Sequence, residues 1–252
     1  MTTARILIIA GSDSGGGAGI QADIKTVTML GGHAMTAITA ITAQNTLGVS
    51  AVLPLPFDLV EAQFHAVVDD IGVDAVKIGM LGRPEIVEGV ADLLHCLPPG
   101  TPVVFDPVMV ATSGAALNES GTAAAMRAIL PLATLVTPNL PELDALGGTD
   151  AILAHAPAVL VKGGHAEGVT LVDRLYARAG EVARWEDTRI ETTSTHGTGC
   201  TLASAIASGL GQGLELTDAI ARARRFVRAA LAAAPGLGRG HGPMGHQAVR
   251  GI

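Results

Sequence analysis

Six short apolar runs, rich in valine and isoleucine and largely unbroken by polar residues, recur along the chain with longer helical patterns between them. They fall at residues 5–10, 35–43, 75–78, 103–105, 134–136 and 159–162. A strand with one wet face alternates apolar and polar side chains, so runs like these need cover on both faces. Such strands, separated by helices, assemble into a mainly parallel sheet between two helical layers. The intervening segments agree. Residues 57–71 bring Leu59, Val60, Phe64, Val67 and Val68 onto one stripe, and residues 84–94 do so with Ile86, Val90 and Leu94. Pro84 stands in the first turn, where its missing N–H is harmless. A helix is also expected at 20–30.

The C-terminal third reads differently. Residues 168–175 and 182–184 suggest an antiparallel hairpin around Arg178-Ala179-Gly180, followed by helices at 199–209 and 217–234. In the second helix Ile220, Ala223, Val227, Ala230 and Leu231 form the apolar face, which leaves Arg222, Arg224, Arg225 and Arg228 as a solvated one. With no linker and no internal repeat, residues 1–252 are expected to form a single α/β domain.

Composition narrows the function. The net charge is −7 with no Lys/Arg-rich run, which argues against a nucleic-acid partner. Apolar stretches break well before about 18 residues, so no membrane span is expected, and Ile6–Ala10 is too short for a signal-peptide core. Two cysteines in 252 residues give no disulfide framework and point to a reducing cytoplasm. Cys96, beside Leu93, Leu94 and Leu97, reads as core filling.

Two glycine-rich segments carry the first chemical signal. Gly11-Ser12-Asp13-Ser14-Gly15-Gly16-Gly17-Ala18-Gly19 follows the first strand and opens a helix, a place where backbone N–H groups meet an anion or simply make a tight turn. Asp23, one turn into that helix, is either a cleft residue or a surface carboxylate. Thr195-His196-Gly197-Thr198-Gly199-Cys200-Thr201 feeds a small-residue helix, so its amides form an anion cradle. A thiol at that dipole end is expected to be acidified and poised as base or nucleophile. His196, His241 and His246 lack zinc-ligand spacing and read as structural or solvent residues.

Three strand ends add polar groups: Asp106, the Asn139/Glu142 pair, and Lys162 with Gly163 and Gly164. Ligands of parallel α/β sheets lie outside the carboxyl ends of the strands. Two carboxylates there suit Mg²⁺ and a lysine suits nucleotide phosphates, so the set points to phosphoryl transfer. Gln44 offers a planar donor and acceptor that match the ring nitrogen and amine of an aminopyrimidine, although a loop amide capping backbone fits the residue equally well. Met80 is placed to pack its thioether on such a ring.

The segments 10–23, Thr42-Ala43-Gln44-Asn45-Thr46, Lys77-Ile78-Gly79-Met80-Leu81, 106–110, 137–142, 161–165 and 195–201 together resemble the hydroxymethylpyrimidine/phosphomethylpyrimidine kinases of thiamine biosynthesis, which are ribokinase-like. The resemblance runs through Pro235–Pro243 and so covers essentially the whole chain. It implies a central, mostly parallel sheet flanked by helices on both faces, with ATP and Mg²⁺. Two successive phosphorylations of an aminopyrimidine alcohol would follow. It further implies Cys200 as base, with Gly197, Thr198 and Gly199 around the transferring phosphoryl group. Gly11, Asp23, Gln44, Met80 and Val108 would lie at the substrate, Asn139, Lys162 and Gly164 at ATP, and Asp106 and Glu142 at the metal. Residues 109–118 match the family's flap, with Thr112 where many relatives have lysine. Members commonly form homodimers. Pyridoxal or pyridoxine kinase activity on the same scaffold is the alternative; a non-catalytic ligand sensor and a hydrolase using Cys200 and His196 stand behind it.

Overall fold

The computed structural model describes residues 3–110, 114, 117–165 and 168–252. In chain order the first half comprises β1 (Arg5–Asp13), α1 (Gly19–Met29), β2 (His33–Asn45), β3 (Gly48–Pro54), α2 (Phe57–Val68), β4 (Ala75–Ile78), α3 (Pro84–Leu94) and β5 (Val103–Phe105). The second half adds α4 (Thr122–Ala125), β6 (Leu135–Val136), α5 (Leu140–Ala145), α6 (Gly148–Leu153), β7 (Ala158–Val161), β8 (Thr170–Ala177), β9 (Gly180–Thr188), α7 (Thr198–Gly211) and α8 (Leu216–Ala232).

Among the described residues nine strands join one sheet in the order β3-β2-β1-β4-β5-β6-β7-β8-β9. The six neighbours β2-β1-β4-β5-β6-β7 are parallel, as the apolar runs require. Along β1, Leu7 and Ile9 enter a core with Phe64 of α2 and Val90 of α3, whereas Ile6, Ile8 and Ala10 enter a second core with Val27 of α1, Ile206 of α7 and Phe226 of α8. Both faces are covered, which is why the run shows no polar alternation.

Antiparallel strands extend both edges. The β8–β9 hairpin is longer than its sequence signal. Strand β3 had none, because Gly48–Pro54 lies half-buried to exposed throughout and carries neither a buried run nor a regular alternation. Cys96 departs from the core assignment: α3 ends at Leu94, and the residue is exposed in the turn beyond. Arg224 departs from the solvated face. It is 7% exposed and pairs with Asp173 and Asp187 of the hairpin. Among the described residues no helix is long and apolar enough to cross a membrane.

Candidate active site

The parallel strands wind in opposite directions on either side of the β1/β4 boundary, which opens a crevice at their carboxyl ends. A cleft of about 810 Å³ occupies it. Thirteen of the fourteen residues anticipated from the sequence line this cleft: Gly11, Gln44, Met80, Asp106, Val108, Asn139, Glu142, Lys162, Gly164, Gly197, Thr198, Gly199 and Cys200. Gln44 stands near the end of β2 and Lys162 just beyond β7, five strands away in the sheet order. The N-terminus of α7 lies between them.

Asp23 is the exception. It does not line the cleft but is completely buried, accepting 2.8 Å from Lys77 Nζ and 2.7 Å from the Ser204 hydroxyl. Ser204 lies one turn beyond Cys200 on α7, so Asp23 ties α1, β4 and α7 together beneath the site. Burial pushes its carboxyl pKa up, against the pull of Lys77 and Ser204. Lys77, also 0% exposed, loses from burial but gains more from Asp23, Cys200 and Asp106, and stays cationic.

Two glycine-rich segments build the cradle by packing backbone on backbone. Gly197 has φ +82°, and a Cβ there would lie 2.0 Å from the Gly17 carbonyl oxygen. Asp13 organises the first segment, accepting from the N–H groups of Gly15 (2.8 Å), Gly17 (3.0 Å) and Ala18 (2.8 Å) and meeting His196 Nε2 at 2.9 Å. His196 is therefore part of the cleft wall rather than a solvent residue.

Cys200 is the third residue of α7. Burial pushes its thiol up to about 11, with Lys77 and the Gly19 N–H favouring the thiolate and Asp23 and Asp106 opposing it. The acidified thiol expected from the helix dipole is thus corrected: desolvation outweighs the dipole, and the resting group is a thiol.

At the other end, Lys162 Nζ lies 2.7 Å from Asp106 Oδ1 and 3.9 Å from Glu142 Oε2. Burial disfavours the ammonium, but the two carboxylates raise its pKa above the lysine norm. Glu142 is itself raised by burial and by repulsion from Asp106, while Lys162 opposes both. Asn139 caps α5 in a reciprocal box with Glu142, which fixes the carboxylate's direction. Two hard oxygen donors already converge on one cation, a donor set that fits a divalent ion shared with phosphate and water. Among the described residues no cluster of three or more acidic, histidine or cysteine side chains offers a complete cage.

The model of the family described as phosphomethylpyrimidine kinase matches residues 13–245. The chain belongs to that family. A hydroxymethylpyrimidine/phosphomethylpyrimidine kinase of Rhizobium meliloti is 48% identical over 261 residues, covering 97% of each chain. Among solved structures, pyridoxal kinase from Staphylococcus aureus in complex with AMP-PCP and pyridoxal is similar with TM-score 0.87 and 33% identity, covering 98% of this chain and 95% of that one. Phosphomethylpyrimidine kinase from Clostridium difficile has TM-score 0.76 and 38% identity over 90% of this chain and 98% of its own. Of the segment 109–118 that matches the family's flap, residues 111–113, which include Thr112, and 115–116 lie outside the described residues.

Sequence reasoning missed Lys77 as a site residue, although a charge inside the buried strand Ala75–Ile78 was a signal. Asp173, whose Oδ1 accepts from the Gly163 N–H at 2.8 Å, carried no signal at all.

Proposed function

We propose that this chain uses ATP to phosphorylate the hydroxymethyl group of 4-amino-5-hydroxymethyl-2-methylpyrimidine and then phosphorylates the monophosphate, with residues 1–252 forming one kinase domain. This reading rests on one cleft that is lined by Gln44, by Lys162 and by Gly197, Thr198, Gly199 and Cys200 at the opening of α7. The aminopyrimidine binds at Gln44, over the Met80 thioether and beside Gly11 and Val108; ATP binds at Asn139, Lys162 and Gly164. The N–H groups of Gly197, Thr198, Gly199 and Cys200 face the transferring phosphoryl group, where a helix start favours the charge that spreads in the transition state. Asp106 and Glu142 would hold Mg²⁺, which when bound neutralises phosphate charge. Asp23 acts from below, through Lys77, rather than on substrate.

In the first phosphorylation the substrate hydroxyl gives its proton to the Cys200 sulfur as the thiolate, a minor form at neutral pH. The second acceptor is an anionic phosphate and needs no such base. A homodimer is the expected assembly, consistent with exposed Ile41, Leu47, Val52 and Leu53 on the β2–β3 hairpin; sedimentation velocity tests it.

Pyridoxal kinase is the second reading, favoured by the likeness to the Staphylococcus aureus structure. Gln44 weighs against it, because pyridoxal has no exocyclic amine. Gln44→Leu is expected to lower kcat/KM for the aminopyrimidine at least tenfold more than for pyridoxal. Equal losses on both substrates would remove the reason for preferring the pyrimidine.

A further inference from the structure

His196 stands where the two glycine-rich segments meet, and its Nε2 faces two partners at once. Asp13 Oδ2 is 2.9 Å away and the Gln44 amide nitrogen Nε2 is 3.1 Å away. Asp13 already receives three backbone N–H groups. Its burial opposes ionisation, yet the bonds from His196, Ala18 and Gly15 hold the carboxyl below the usual range. An ionised carboxylate can only accept, so His196 Nε2 must carry a hydrogen. The Gln44 atom facing that hydrogen must then be an acceptor, the oxygen rather than the amino group.

The other end of the carboxamide leads to the same arrangement. Thr42 Oγ1 lies 2.9 Å from the Ser12 carbonyl oxygen and 3.1 Å from the Gln44 carboxamide oxygen Oε1. Its one hydrogen goes to the carbonyl, which can only accept. What Thr42 needs from Gln44 is a donor. A half-turn of the carboxamide about its last bond satisfies both ends, and oxygen and nitrogen are interchangeable in shape. In the opposite orientation, N–H would meet N–H at the imidazole.

We infer that His196, with the Nε2 hydrogen directed by Asp13, sets the donor–acceptor order of Gln44 and so determines specificity for an aminopyrimidine edge. This rests on the pyrimidine reading above. The outer edge of Gln44 keeps one acceptor on the His196 side and one donor on the Thr42 side. An adjacent amine and ring nitrogen then bind in one register, because the reversed register sets donor against donor and acceptor against acceptor. His196 touches no reacting atom in this account; it is a positioning residue.

Two experiments test the inference on the full chain. With histidines ¹⁵N-labelled and no substrate present, His196 Nε2 is expected to show a directly bonded hydrogen, assigned by its loss in His196→Gln. A bare Nε2 would overturn the inference whatever the substrate. The second reads dissociation constants for the aminopyrimidine alcohol and for its analogue with hydrogen in place of the amine. His196→Met, similar in bulk but without a donor, is expected to lose at least tenfold of the preference for the amine. His196→Gln, whose amide N–H reaches a comparable position, is expected to keep most of it. Equal weakening of both ligands in His196→Met would mean a structural role only and overturn the proposal. If neither pyrimidine bound the wild-type chain, the substrate reading would fall and this role with it, while the labelling result would still report the imidazole's hydrogen.

Discussion

Lys77 Nζ and Asp23 Oδ2 lie 2.8 Å apart with neither side chain exposed to solvent, directly beneath the turn that carries Cys200. Removing one member of such a pair strands the other charge. Lys77→Met is therefore expected to destabilise the fold by about 3–5 kcal/mol, and the double change Lys77→Met with Asp23→Leu to recover much of that loss. Urea unfolding of the wild type, Lys77→Met, Asp23→Leu and the double variant checks it; additive losses would mean that the two groups are not coupled.

The Cys200 thiol, raised to about 11, fixes the sign of a pH effect. At neutral pH the thiolate is the minor form, and its fraction grows about tenfold per pH unit below the pKa. Alkylation of Cys200 by iodoacetamide, read by mass spectrometry, should accelerate accordingly between pH 7 and pH 10. The first phosphorylation should climb with it, while the second should not. Cys200→Ala should slow the first step much more than the second; equal losses would recast the residue as purely positional.

Gly197→Ala introduces a methyl group 2.0 Å from the Gly17 carbonyl at a residue with φ +82°. The two glycine-rich segments must separate, which moves the amides of the cradle. Activity is expected to fall by about 100-fold or more, the cost of losing an aligned donor, together with a lower Tm. A variant with wild-type turnover would show that the cradle does not depend on this contact.

Asp173 joins the turn after Lys162 to helix α8, through the Gly163 N–H and the buried Arg224 guanidinium. Asp173→Asn is expected to raise KM for ATP by about tenfold, the scale of one hydrogen bond to a charged group. KM for the acceptor should stay nearly unchanged. Steady-state kinetics separates the two constants, and a parallel rise in both would point to general loosening.

A feature is legible in the sequence to the extent that its signal is local. Ile6 through Ala10 announced a two-sided sheet because successive side chains enter opposite cores. The glycine segments and the polar strand ends were readable because turns and helix starts have short signatures. The Asp23–Lys77 pair spans 54 residues and the Arg224–Asp173 pair 51, so nothing in either neighbourhood announces its partner. The Arg224 helix looked amphipathic with a wet arginine face; the β8–β9 hairpin covers part of that face and supplies two carboxylates. The Cys200 pKa turned on desolvation, which local sequence does not contain.

The identity of the acceptor separates the pyrimidine reading from the pyridoxal one. Purified protein incubated with MgATP and either the aminopyrimidine alcohol or pyridoxal, with products resolved by mass spectrometry, tests it most directly. The prediction is a monophosphate and then a diphosphate of the pyrimidine, with little pyridoxal phosphate. Pyridoxal phosphate as the main product, or a pyrimidine that stays unphosphorylated, would contradict it.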